Sequence, residues 1–238
     1  MRTIIWFIYF WFYLLKMIPK LKVADRLLAE GKMQEHRDLV KNEVNKWANS
    51  LLKLAGADVT ITGKENIPDE PVIFVSNHQG NFDVPLLLAH LDTAHSLLAK
   101  VELKKVPFIN RWMEHLKCIF VDRQNPRQSV AAMNEAADLL KSGQSVIIFP
   151  EGTRSRGETI GEFKSGSFKI AEKAKVPIVP IVMDGSYKLM ENNKNFIRPA
   201  KVKIKILPPI KISELSKQEI RQLPEQIREL IVEEKSKA

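Results

Sequence analysis

The sequence predicts an α/β fold, with a mostly parallel central sheet flanked by helices and preceded by a two-helix, membrane-anchoring motif. Three observations lead there. From residue 57 onward short apolar runs alternate with helical patterns, the signature of βα units. Several of those runs, such as VIFV and VIIF, are continuously apolar, as strands covered on both faces must be. Ahead of them, residues 4–13 read IIWFIYFWFY, with seven aromatic residues in ten positions. The chain has 238 residues, of which 45% are hydrophobic and 27% charged, enough for a sizeable core and unlike a disordered chain.

The elements follow in order. The first apolar run continues to Leu15 and stops at Lys16. Twelve helical residues reach about 18 Å at about 1.5 Å each, short of the roughly 30 Å hydrocarbon core of a bilayer. Such a helix suits insertion into one leaflet, with Trp and Tyr at the interface. Its competitors are a cleaved signal peptide and a buried core helix. The residues that follow, KMIPKLK, offer no small-residue cleavage site. Pro19 is expected to end this helix. Residues 21–54 then read as one long amphipathic helix, with Ala24, Leu27, Leu28, Gly31, Val40, Val44, Ala48 and Leu51 at spacings of three and four. Residues 1–55 hold ten Lys/Arg against five Asp/Glu, so this quarter of the chain carries about half of the net charge of +9. A basic, aromatic-rich helical pair reads as an anchor on an anionic lipid surface. The domain reading is therefore 1–55 as a membrane-associating pair and 56–238 as the α/β domain.

Strands are expected at 57–62, 72–76, 95–99, 118–121, 145–149, 178–183 and 202–207, and helices at about 85–91, 102–116, 127–142, 165–175 and 213–236. The run KVKIKIL alternates and belongs near an edge with one wetter face. The prolines of VPIVPIV argue for an edge or irregular strand there, although most of its residues suit a sheet core. The single cysteine, Cys118, cannot form an internal disulfide and sits in the apolar run CIFV, as a small buried hydrophobe does. The five histidines show no metal-ligand spacing, so no metal is expected. No nucleic-acid recognition motif accompanies the basic charge, and nucleic acid is not an expected partner.

In open α/β sheets functional groups gather beyond the carboxyl ends of strands. His78 follows VIFVSN, Arg123 follows CIFVD, and Glu151 and Arg154 follow SVIIFP. His78 and Asp83 lie five positions apart in SNHQGNFDVP, where Gly80 and Asn81 allow a turn and Pro85 suits the first turn of a helix. Asp83 as a helix N-cap and His78 as a structural histidine are the plainer readings. The sharper one is a general base whose tautomer a carboxylate fixes. No serine in a nucleophile elbow accompanies the pair, so the proton would come from a substrate hydroxyl. In FPEGTRSRG, Gly152 allows close backbone approach, and Arg154 and Arg156 suit bidentate phosphate binding. Lys104, Lys105 and Arg123 read either as a solvated face or as an anion pocket with Arg154.

Together these residues resemble the glycerolipid acyltransferase family, whose bacterial type is the 1-acyl-sn-glycerol-3-phosphate acyltransferase. Asn77, His78 and Asp83 match its Asn-His-x-x-x-x-Asp motif. Ile119 to Arg123 match the second motif, Phe149 to Ser155 the third, and Val176 to Pro180 the fourth. The resemblance covers about residues 55–210; four ordered motifs are specific where each alone is not. It implies transfer of a fatty acyl group from an acyl thioester to the sn-2 hydroxyl of lysophosphatidic acid, giving phosphatidic acid. His78 would be the base and Asp83 its orienter, with Lys105, Arg123, Glu151, Gly152 and Arg154 forming the phosphate site. It implies no cofactor beyond acyl carrier protein or acyl-CoA as co-substrate, and a monotopic place on the cytoplasmic face of the cell membrane. An acyltransferase for another lyso-lipid and a non-catalytic lipid-binding protein are the alternatives. Lys117 stands where the family often has glycine and would add charge and bulk near the acceptor pocket; Lys105 falls where the family places a phosphate-associated lysine.

Overall fold

The computed structural model describes residues 1–91 and 96–237. Its helices are α1 (Arg2–Lys16), α2 (Ile18–Ala29), α3 (Met33–Ala55), α4 (Asp83–His90), α5 (Ile109–His115), α6 (Pro126–Lys141), α7 (Gly166–Ala174) and α8 (Lys217–Ser236). Its strands are β1 (Ala57–Thr62), β2 (Ile73–Ser76), β3 (Ser96–Lys100), β4 (Ile119–Val121), β5 (Val146–Ile148), β6 (Ile178–Asp184) and β7 (Ala200–Ile206). They form one seven-stranded sheet in the order β1-β7-β6-β2-β5-β3-β4. Every neighbouring pair is parallel except β6–β7. The expected strand at 95–99 is β3; His95 lies outside the described residues.

Residues in the central strands alternate between two apolar cores, as a period of two requires. Phe74, Ile147, Val179, Ile181 and Met183 face the core closed by α1 to α4. Ile73, Val75, Val146, Ile148, Ile178 and Val182 face the core closed by α6, α7 and α8. A sheet covered on both faces explains the continuously apolar strands.

Three segments depart from the sequence reading for local reasons. Residues 21–54 are not one helix, because Gly31 adopts φ +71° and divides α2 from α3. Pro19 does not end α1; it lies in the first turn of α2, where a missing N–H breaks no helical bond. The helix expected at 102–116 divides into a 3-10 turn at Val101–Lys105 and α5, separated by Pro107 and by Phe108 at φ +65°.

Of the two prolines of the fourth motif, Pro177 precedes β6 and Pro180 lies within it, in a central strand rather than at an edge. β6 pairs with β2 on one side and β7 on the other, and its residues Ile178 to Met183 are buried. Pro180 fits because the pairing is offset there. Ile178 bridges Ile210 and Ile181 faces Ile206, so three steps of β6 oppose four of the returning chain. A residue without an N–H is tolerated at such a bulge. β7 alternates in burial as expected and lies second from the edge, beside β1.

Lys117 takes a left-handed conformation, φ +56°. It follows the C-cap of α5: its N–H donates to the Glu114 carbonyl at 2.9 Å, and Cys118 N–H donates to the Met113 carbonyl at 2.8 Å. This is the Schellman closure, which favours glycine for backbone reasons. The lysine side chain is exposed and borders a separate open hollow with Lys104, Glu114 and Asp138. Lys117→Gly is expected to stabilise the fold by about 1 kcal/mol, the cost of the left-handed backbone, read as a raised denaturant midpoint. Acceptor preference should not change.

Candidate active site

The site is built where β2, β4, β5 and β6 end. Past β2, the Asn77 amide replaces a ladder rung: its Nδ2 donates to the Met183 carbonyl at 2.9 Å and its Oδ1 accepts from Met183 N–H at 2.8 Å. This clamps the start of the loop to β6. The loop then turns so that Asp83 reaches back. Asp83 Oδ2 lies 2.6 Å from His78 Nδ1 and accepts the N–H groups of Gln79 at 2.6 Å and Gly80 at 2.9 Å. Its Oδ1 accepts the Ser186 hydroxyl. Asp83 is fully buried and makes no side-chain cap to α4, whose first residue it is. It closes the loop before the helix, which is the reading the sequence left open.

A carboxylate only accepts hydrogen bonds, so Nδ1 of His78 carries the proton and Nε2 presents a lone pair. The His78 side chain is 19% exposed and faces a cavity. Its ring stacks on Phe149, centroids 4.1 Å apart, which limits its swing.

The third motif braces this loop from below. Ser155 N–H donates to the His78 carbonyl at 2.8 Å and Arg156 N–H to the Gln79 carbonyl at 3.0 Å. Glu151 is buried. Its carboxylate accepts His78 N–H at 2.6 Å and Gly161 N–H at 2.9 Å. Burial pushes the Glu151 carboxyl above its ordinary value, and these two N–H groups oppose that rise. Glu151 therefore holds the histidine backbone and does not line the cavity.

The cations gather around Gly152, at φ +71°. A Cβ there would lie 3.1 Å from Lys164 Nζ, so glycine eases the approach of that lysine, while Arg123 Cζ at 3.7 Å would be in ordinary contact. Arg123 is exposed at the edge of the cavity, and desolvation by the atoms around it draws its guanidinium below its ordinary value, with Glu102 opposing. Arg154 meets the Asn81 side-chain oxygen and stands 3.7 Å from Glu191 Oε1. Glu191 is a buried carboxylate whose Oε1 accepts Asn81 N–H at 2.8 Å. Burial raises its carboxyl above the usual range. Gly80 makes room for it, since a Cβ there would fall 2.5 Å from Glu191 Oε2.

A cavity of about 720 Å³ joins these groups. His78, Asn81, Arg123, Gly152, Thr153 and Arg154, with Lys100 and Glu102, supply its polar lining. Trp6, Phe10, Trp47 and Leu51 from the N-terminal helices, with Trp112 and Met113 from α5, supply much of its apolar wall. The described lining contains no serine or cysteine. Lys105 lies outside that lining, exposed at the end of its 3-10 turn, while Lys100 and Glu102 of the same stretch border the cavity. Sequence reasoning missed Ser186, Glu191, Lys164 and Phe149. The strand-end rule would have flagged Ser186, two residues past β6, and Phe149, one past β5. Glu191 and Lys164 carried no such signal.

Comparison with known proteins places the chain among acyltransferases. A family model described as Acyltransferase matches residues 58–184. The probable 1-acyl-sn-glycerol-3-phosphate acyltransferase of Mycoplasma pneumoniae is 35% identical over 157 residues, 64% of this chain and 59% of that protein. The 1-acyl-sn-glycerol-3-phosphate acyltransferases of Saccharomyces cerevisiae and Borreliella burgdorferi are 31% and 35% identical, over 76% of this chain and 60% and 73% of theirs. The chain thus spans about 60% of the length of the Mycoplasma and yeast relatives. The crystal structure of the 1-acyl-sn-glycerophosphate acyltransferase of Thermotoga maritima superposes with a TM-score of 0.77 at 30% identity, covering 98% of this chain and 97% of that one.

Proposed function

The chain belongs to the Acyltransferase family, and from that premise we propose that it acylates the free hydroxyl of 1-acyl-sn-glycerol-3-phosphate, with an acyl thioester as donor. The observation that carries this reading is the His78–Asp83 pair, 2.6 Å apart, facing a cavity with guanidinium groups and long apolar walls. A lyso-lipid phosphate has the same two-part chemistry.

In this reading Nε2 of His78 takes the proton of the acceptor hydroxyl as its oxygen attacks the thioester carbonyl. The carbon–oxygen bond forms, the carbon–sulfur bond breaks, and the imidazolium returns its proton to the leaving thiolate. Asp83 stabilises the imidazolium in between. Backbone N–H groups near the site would hold the oxyanion. Arg123 and Arg154 would hold the phosphate, with Gly152 giving it room; Glu151 would keep the histidine in place. The exposed Lys105 would meet phosphate only outside the cavity lining.

In this reading the protein sits monotopically on the cytoplasmic face of the membrane holding the substrate, and the N-terminal helices supply the contact. No single described helix is long and apolar enough to cross a bilayer; α1 and α2 pass that test only as a pair bent by 40°. Ile4, Ile8 and Phe12 of α1 are all more than 60% exposed and recur every fourth residue, so they form one outward stripe. An apolar stripe beside basic residues favours a helix lying in the interface.

Purified protein given lysophosphatidic acid and either acyl carrier protein thioester or acyl-CoA is expected to release free thiol, and the preferred donor would show the higher kcat/KM. Transfer to a phosphate-free or different lyso-lipid in preference would replace this acceptor, and binding without thiol release would leave only a lipid-binding role.

A further inference from the structure

The connection between β6 and β7 carries an exposed aromatic tip. Lys194 and Asn195 both adopt left-handed backbone, at φ +53° and +66°. The next residue, Phe196, is 61% exposed, while Ile197 is buried. A single exposed apolar side chain needs no explanation; the surroundings of this one do. Ile197 N–H donates to Thr3 Oγ1 at 2.9 Å, which ties the tip to the first turn of α1. Arg2 strengthens the same end by donating to the Leu54 carbonyl at 3.1 Å. Pro199 and Arg2 both pack against Gly56, where an added Cβ would lie 3.0 and 2.6 Å from them. Phe196 therefore stands at the end of α1 where Ile4 and Ile5 are exposed.

The exposed charged side chains of the tip itself, residues 192–200, share one sign. Lys194, Arg198 and Arg2 are exposed. The one acidic residue between 191 and 200 is Glu191, whose side chain is buried against the site loop. An aromatic ring flanked by cations matches an anionic lipid surface, which accepts the ring at the headgroup level and attracts the charges.

We propose that Phe196, with Lys194 and Arg198, makes a second contact with an anionic lipid surface and thereby fixes how the cavity meets it. This rests on the lipid contact of α1 proposed above. α1 is fixed to the fold through Trp6, but a protein held to a surface along one helix can still rock about that helix's axis. A second contact held off that axis by Thr3 stops the rocking, and α1 itself walls the cavity through Trp6 and Phe10.

The test uses the full chain and vesicles of phosphatidylcholine with or without phosphatidylglycerol. Phe196→Ser is expected to lower partitioning onto the mixed vesicles about ten-fold, the change for removing one phenyl ring from an apolar phase, and Phe196→Trp should restore it. Lys194→Ala with Arg198→Ala should weaken binding about five-fold per cation on the anionic vesicles and leave binding to phosphatidylcholine alone unchanged. Phe196→Ser should also slow acylation of vesicle-borne acceptor while leaving the rate on a soluble short-chain acceptor intact. Partitioning of Phe196→Ser equal to that of the parent protein would overturn the proposal. Ile4→Ser with Ile8→Ser separates the two readings: if this pair abolishes binding and Phe196→Ser does nothing, the α1 contact stands and the second contact fails. If neither matters, both fail.

Discussion

His78→Ala is expected to reduce acyl transfer about a thousand-fold, the usual contribution of a positioned general base. KM for the phosphate-bearing acceptor should stay near that of the parent, because the imidazole holds no phosphate in this arrangement. Asp83→Asn is expected to be nearly as damaging for a different reason. The carboxylate accepts from His78 Nδ1 and from two backbone N–H groups through a single oxygen. An amide oxygen in the Oδ2 place keeps the imidazole and both backbone N–H groups and sets its NH2 group on Ser186, whereas the flipped amide sets NH2 against the imidazole and both backbone N–H groups at once. Turned toward the imidazole, it makes Nδ1 an acceptor and moves the proton to Nε2, where the base must be free. The two variants should also differ in stability. His78 is partly exposed and its removal costs little. Asp83→Asn disturbs a fully buried network, and leaving one buried group unpaired costs about 1–3 kcal/mol. Steady-state thiol release together with denaturant unfolding separates these effects. Transfer by His78→Ala at the parent rate would remove the imidazole from the mechanism.

The order of strands and helices was legible because the sheet is buried on both faces, so apolar runs marked its strands directly. The candidate pair His78–Asp83 was legible because it spans only five positions at the end of β2. What escaped the sequence is what depends on distant partners or backbone angle. Asp83 and Ser186 are 103 positions apart, and no periodicity connects them. Glu191 reaches Asn81 across 110 positions from a short turn between β6 and β7. Gly31 fitted the apolar spacing of an amphipathic helix, yet its left-handed backbone ends that helix. The proline of β6 was read as a mark of an edge or an irregular strand; the strand is central, but the offset in pairing at Pro180 makes it irregular there and removes the need for a donor. Lys117 was read by its side chain, although the position is governed by the turn that closes α5. In each case a local rule was sound and the tertiary setting changed its premise.

That same dependence on distant partners makes Arg154 the informative residue for substrate choice. Arg154→Ala is expected to raise KM for lysophosphatidic acid by about ten- to a hundred-fold, since a charge-assisted hydrogen bond contributes about 1.5–3 kcal/mol. The effect on kcat should be much smaller, because His78 and Asp83 are braced by Glu151 and Ser186 and not by Arg154. Arg154→Lys should rescue poorly: the guanidinium reaches Asn81 while standing beside Glu191, and an ammonium is a point charge without that planar fork. Gly152→Ala should resemble the arginine loss, because its Cβ would press on Lys164 Nζ at 3.1 Å in a backbone conformation that already disfavours any side chain. A phosphate-free acceptor supplies the control. If Arg154 binds phosphate, the variant and the parent should use that acceptor equally badly. An equal rise in KM for both acceptors would instead assign Arg154 to holding Asn81 and the loop, and phosphate recognition would pass to Arg123 and Lys164 at the glycine corner.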